Sequence, residues 1–316
     1  MISFRYHIVS IVSVLLALAV GVALGGGPLN REVHNTLVEQ VQADRARKAE
    51  LQQEINTLAS TNQFSDDFAD AVAPGLVGST LRGQAVTLVV LPTAQQTEVA
   101  AMGDMIQVAG GTVGGTVRVG DGLLDVENRQ LVDELGSQLL DGASGVSVPA
   151  DASGYERVGA LLARAIGTDE EGGAAVDGTS DSILAGLSTA GLLSAEEDLD
   201  RRGNLVVVLA GAGSGSEAEM QGASSIVTTV ANALDADTGG VVVAGPVASA
   251  RGEGVVRAIR DDVVAARDVS TVDVLGRSAA RVVTMMALAG QAQGQTGHFG
   301  AVDAADGAVP GAGGAG

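Results

Sequence analysis

The chain has 316 residues, a formal net charge of -20, and neither cysteine nor tryptophan. Without cysteine there are no disulfides, thiolate metal sites or cysteine nucleophiles, and the core has to be built from Val, Leu, Ile and Ala. Residues 1–60 hold five basic and five acidic side chains, so the excess lies beyond them, where 13 Arg face 33 Asp and Glu. That field repels a phosphate backbone and argues against nucleic acid as a partner.

From Ile8 to Leu24 the sequence carries no charge, which corresponds to roughly 26 Å of helix, nearly the thickness of a bilayer core. Residues 1–29 are therefore predicted to be a single-pass anchor in the lipid bilayer. Arg5 precedes the run and no comparable cationic excess follows it. The positive-inside rule then places the N-terminus in the cytoplasm and the bulk of the chain outside the cytoplasmic membrane. A cleaved signal peptide is the competing reading, because Gly21-Val22-Ala23 and Ala23-Leu24-Gly25 offer small residues of the kind a signal peptidase accepts. The apolar run exceeds the usual length of a signal-peptide core, which favours retention. Ala17, Gly21 and Gly25 recur at four-residue spacing, a small face on which a second helix can approach closely.

Gly25 to Pro28 interrupt this helix, and Pro28 suits the first turn of a new one. Leu37, Val41, Leu51, Ile55 and Leu58 then fall on the alternating three- and four-residue steps of a heptad seam, interrupted by Asp44 and Lys48. Residues 30–62 are predicted to form a coiled-coil stalk, and the chain a homodimer joined through stalk and membrane helix. A solitary amphipathic helix packed on the following domain is the alternative. Phe64 and Phe68, four apart, are expected to dock the end of the stalk onto that domain.

Residues 63–299 read as an extracytoplasmic α/β domain. Val86–Leu91, Leu205–Leu209 and Val241–Ala244 are short, continuously apolar and β-branched, as parallel strands buried on both faces are. Helical patterns follow each, at Gln95–Ala109, Ser216–Leu234 and Glu253–Ala266. Thr112–Val119 and Ser270–Leu275 are further strand candidates, with helices near Val126–Leu140 and Ser278–Ala289. The fold class is thus α/β: a transmembrane helix and coiled-coil stalk, then a mainly parallel sheet with flanking helices. Gly142–Gly203 reads as helices and loops capping one sheet edge. Residues 300–316, with six Gly and six Ala, are expected to be disordered.

The most suggestive glycine-rich stretch is Leu209-Ala-Gly-Ala-Gly-Ser-Gly-Ser216, between a strand and a helix where backbone amides can cradle phosphate. Its spacing fails the dinucleotide fingerprint, and no Walker lysine follows. Ser216 and Glu219 fit a capping box instead, so the loop reads as a structural turn. His7, His34 and His298 lie far apart in sequence, and no catalytic constellation or cofactor motif is evident; the chain is not expected to be an enzyme. Met102 and Met105, three apart on a helix, and His298 are weak candidates for copper, thioethers being soft enough for Cu(I). Core packing is the ordinary role of such methionines.

Two stretches carry a family resemblance. Ile2-Ser-Phe-Arg-Tyr-His7, Ser10 and Leu16 to Gly25 resemble the opening of the MctB-like actinobacterial copper transporter family. Val269-Ser-Thr-Val-Asp273, Ala287-Leu-Ala-Gly290 and Gly297-His-Phe-Gly300 resemble its C-terminal signature, and the likeness spans nearly the whole chain. The resemblance implies a cell-envelope protein concerned with copper transport or efflux, copper as what it handles, and for some members an outer-membrane location. It also singles out Ser270, Thr271, Asp273 and His298, for which strand ending and helix capping are the plainer roles. A barrel pore from this chain alone is not expected, since its strands are uniformly apolar and aromatics make up only 2% of residues. The family's other association, with envelope assembly, implies an alternative: a coiled-coil scaffold that recruits or regulates a cell-wall hydrolase.

Overall fold

The computed structural model describes residues 4–25, 28–195 and 199–311, and the chain divides into two compact units, Met1–Phe64 and Ser65–Gly316. In the first unit, helix α1 spans Phe4–Gly25 and is long and apolar enough to cross a membrane, with mean hydropathy 2.2 over Phe4–Ala23. Helix α2 begins at Pro28 and continues to Val77, past residue 62 where the stalk was expected to end. Val41, Leu51, Ile55 and Leu58 are all exposed on it; the side chain of Leu37 lies outside the described residues.

The second unit starts with the last turns of α2. Ala69, Ala73 and Val77, four apart, are buried, and Gly78 donates to the Pro74 carbonyl as the helix ends. Next come β1 (Ala85–Val90), α3 (Gln96–Val108), β2 (Thr112–Val119), α4 (Asp121–Leu124), α5 (Arg129–Gly142) and α6 (Gly154–Ile166). They are followed by β3 (Ala174–Ala175), α7 (Gly178–Thr189), β4 (Leu193–Ala195), β5 (Arg201–Arg202), β6 (Leu205–Leu209) and α8 (Glu217–Ala236). The chain closes with β7 (Val241–Ala244), α9 (Val255–Asp261), α10 (Ala265–Asp268), β8 (Ser270–Val272), α11 (Ser278–Gln291) and β9 (His298–Phe299).

Seven strands form one sheet in the order β4-β2-β1-β6-β7-β8-β9, all parallel except β4, which runs antiparallel along the β2 edge. The continuous apolar runs still alternate between two faces. Val89, Val206, Val208, Val241 and Val243 point to the layer of α6, α7, α8 and α9. Val86, Leu88, Val90, Leu205, Val207 and Val242 point to α3, α11 and the end of α2. Both faces are covered, and the central strands β1, β6 and β7 are apolar at every position except Thr87, the pattern expected of a buried parallel sheet.

Several expectations are corrected. Phe68 is 60% exposed and does not dock α2. Within the second unit that role falls to Ala69, Ala73 and Val77, together with Asp66 and Asp70. Asp66 accepts the Ser278 amide at 3.0 Å, and its carboxylate lies 3.3 Å from Arg277; Arg281 reaches Glu98 at 3.2 Å and Asp70 at 3.9 Å. The Glu253–Ala266 helix is two short helices, because Asp262 turns the chain by accepting the amides of Val264 and Ala265. The Gly142–Gly203 stretch does more than cap an edge: α6 is buried along the sheet face beside α8, and only β4 lies at the edge. Residues 300–311 were expected to be disordered, but Gly300 and Gly307 bond to each other and Val309 packs on the core. Residues 312–316 lie outside the described residues.

Candidate functional site

The C-terminal signature residues meet at the end of β8. Asp273, fully buried, pairs with Arg260 of α9 at 3.1 Å and accepts the amides of Ala301 and Val302 at 2.6 and 3.2 Å. Arg260 is itself only 8% exposed; it donates through Nε to Thr271 Oγ1 at 2.8 Å and to the carbonyls of Phe299 and Val302. Gly300, at φ +137°, lets the chain pass over the Asp273 carboxylate, where a Cβ would lie 2.3 Å from its Cγ. Next to Asp273, Val274 takes a positive φ of 67°, unusual for a β-branched residue.

The protons in this network have one consistent assignment. The Ala266 carbonyl, 3.0 Å from His298 Nε2, can only accept, so Nε2 carries the hydrogen. Nδ1 then accepts from the Thr271 hydroxyl at 2.9 Å, whose oxygen accepts from Arg260. His298 is thus held as the neutral ring, and its pKa is lowered, first by burial and then by the nearby Arg260 charge, against the Ala266 hydrogen bond and Asp306. Ser270 accepts from Gln291 Nε2 at 2.8 Å and the Gly297 amide at 3.0 Å. The structure therefore brings Ser270, Thr271, Asp273 and His298 together, but their polar atoms bond inward and tie the C-terminal segment to β8. Arg260, which holds the cluster together, has no marker in the sequence beyond the need of a buried carboxylate for a cation.

The metal candidates are engaged in packing and hydrogen bonding. Met102 and Met105 are 0% and 6% exposed in the apolar layer between α3 and the sheet, and both ring nitrogens of His298 are occupied. Among the described residues, no group of three His, Cys, Asp or Glu is placed to hold a metal ion.

A second feature follows from strand order. β2 lies on one side of β1 while β6 through β9 follow on the other, so the connections diverge between β1 and β6. In open parallel sheets a crevice opens at that point, outside the carboxyl ends of the strands. Here it is a cleft of about 470 Å³, lined by Leu91–Thr93, Asp121, Leu124–Glu127, the 210–215 loop, one side of α8 and Glu253–Val255. The loops after β1 and β6 meet so closely that a Cβ on Gly211 would lie 1.8 Å from the Thr93 carbonyl oxygen. At the start of α8 the capping box is present: Ser216 Oγ accepts the Glu219 amide, and Glu219 Oε2 accepts the Ser216 amide at 2.7 Å. Its hydrogen bonds from Ser216 hold the Glu219 carboxyl below its usual range.

A family model described as "Copper transport outer membrane protein, MctB" matches residues 1–310. Proteins named "Copper transporter MctB" from Mycobacterium tuberculosis and Mycobacterium bovis are each 29% identical over 313 residues, 95% of this chain and 96% of theirs. The protein of the same name from Mycobacterium leprae is 27% identical over 310 residues.

Proposed function

The chain belongs to the MctB copper transport family, and we propose that it acts in copper transport and homeostasis as a membrane-anchored component of the cell envelope. The observation that carries this reading is the extent of the match, which takes in anchor, stalk and α/β unit together. Copper is the cargo in this reading. Among the described residues no group of three His, Cys, Asp or Glu is placed to hold a metal ion, so no resident copper centre is assigned to this chain. The location we infer is the cytoplasmic membrane, with α1 as the span and the α/β unit outside, a reading that the charge flanking α1 supports.

One helix cannot line a path for an ion, so transport calls for several copies or a partner. Two features of the first unit support self-association. No described residue approaches within 4 Å of a Cβ placed on Gly21, and Val41, Leu51, Ile55 and Leu58 are exposed apolar positions along α2. We infer pairing of two copies through these surfaces.

The test is a gene deletion complemented with the wild-type chain, followed by cellular copper content and growth in copper. Raised copper and copper sensitivity, both reversed by complementation, are expected. Unchanged copper content overturns the reading, and a division defect at normal copper content would favour the scaffold alternative.

A further inference from the structure

The cleft between the ends of β1 and β6 has a lining of its own, separate from the cluster at the end of β8. Its floor is apolar, formed by Leu91, Ala210, Met220 and Val227, and its rim carries Asp121, Asp125, Glu127, Glu219 and Glu253. Among the described residues, no Lys, Arg or His lines it. A volume of about 470 Å³ falls within the range of small-molecule sites.

Three observations narrow the ligand. Phosphate is disfavoured, because Glu219 already occupies the start of α8 and the rest of the rim is anionic. A single metal ion is disfavoured, because among the described residues no three carboxylates or imidazoles converge on one point. The negative charge is instead spread around the mouth of an apolar cleft. Its complement is a flexible molecule with an aliphatic body and several separated positive charges.

We propose that this cleft binds a small organic polycation of the polyamine class, its ammonium groups on the rim carboxylates and its methylene chain against the Leu91–Val227 floor. Backbone geometry keeps the cleft open: the contact of Gly211 with Thr93 sets the separation of the two loops, and Ser224 Oγ anchors the opposite wall through the Glu253 carbonyl at 2.6 Å. The site is independent of the copper reading, and losing it should leave cellular copper content unchanged.

The test is equilibrium dialysis of spermidine against the full-length chain in phosphatidylcholine nanodiscs. One saturable site is expected. The double variant Glu127→Gln/Glu253→Gln should weaken it about tenfold, as should Ala223→Phe, which fills the cleft. Glu134→Gln/Asp141→Asn, which removes the same charge from exposed positions outside the cleft, should leave binding unchanged. Equal weakening by both double variants would reduce the effect to the diffuse acidity of the surface and overturn the proposal. Absence of a saturable site would also overturn it. Should Ala223→Phe fail to fold by circular dichroism, the two charge variants still decide.

Discussion

Arg260 and Asp273 form a buried ion pair, 3.1 Å apart, that joins α9 to the end of β8 and, through Asp273, to the amides of residues 301 and 302. A buried charge stripped of its partner is far more costly than an exposed one. Arg260→Met is therefore expected to lose about 3–5 kcal/mol of stability. Arg257→Met, which removes an exposed pair with Asp261, should lose no more than about 1 kcal/mol. Urea denaturation of the two variants checks the contrast.

Gly300 and Gly276 both have positive φ, +137° and +107°, but only Gly300 would place a Cβ against the Asp273 carboxylate. Gly300→Ala should cost about 2–3 kcal/mol, and Gly276→Ala, with open space around it, about 1 kcal/mol. Equal losses by thermal denaturation would show that the Asp273 contact contributes nothing.

His298 makes stability depend on pH near neutrality. Its folded pKa lies below the ordinary 6.5, so as pH falls through that value the unfolded chain takes up a proton that the folded chain resists. Stability is full above the unfolded pKa and declines below it. Replacing His298 with Gln should flatten the pH dependence between neutrality and the folded pKa; an unchanged slope would refute the neutral-ring assignment.

Asp235 acts in the opposite sense. Burial, and then the charge of Asp268, raises its pKa from 3.8 to about 6. Between those values the folded state holds the extra proton, so stability falls as pH rises and the loss persists above about 6. Asp235→Asn should gain about 1 kcal/mol at neutral pH, after allowance for the partial exposure of the group. Below the unfolded pKa the gain should vanish, which stability curves at both ends of the range will show.

Leu51 and Ile55, 49% and 56% exposed on α2, carry the proposed pairing of copies. Charged substitutions at both should convert the detergent-solubilised chain to monomer in light scattering and leave the far-ultraviolet circular dichroism helical. A wild-type monomer would rule the pairing out.

Elements whose signals are local could be read directly from the sequence. The uncharged run from Ile8 to Leu24 is a helix, the Ser216/Glu219 capping box is present, and Val86, Leu205 and Val241 begin or lie in buried parallel strands as their β-branched runs require. The signature residues Ser270, Thr271, Asp273 and His298 were also singled out, but by resemblance, without the Arg260 that joins them. Phe68 shows the limit of local pattern: its spacing from Phe64 suggested docking, yet α2 turns its alanines, not its aromatic side chain, toward the core of the second unit.

The sequence by itself determined the membrane-length helix and the alternation of strands and helices, because hydrophobicity and periodicity act over a few residues. Only the tertiary structure decided that Arg260 would meet Asp273, that α6 would lie along the sheet, and that a carboxylate-rimmed cleft would open between β1 and β6. These depend on strand order, which is set by how large apolar faces cover one another across more than a hundred residues. No local pattern carries that information.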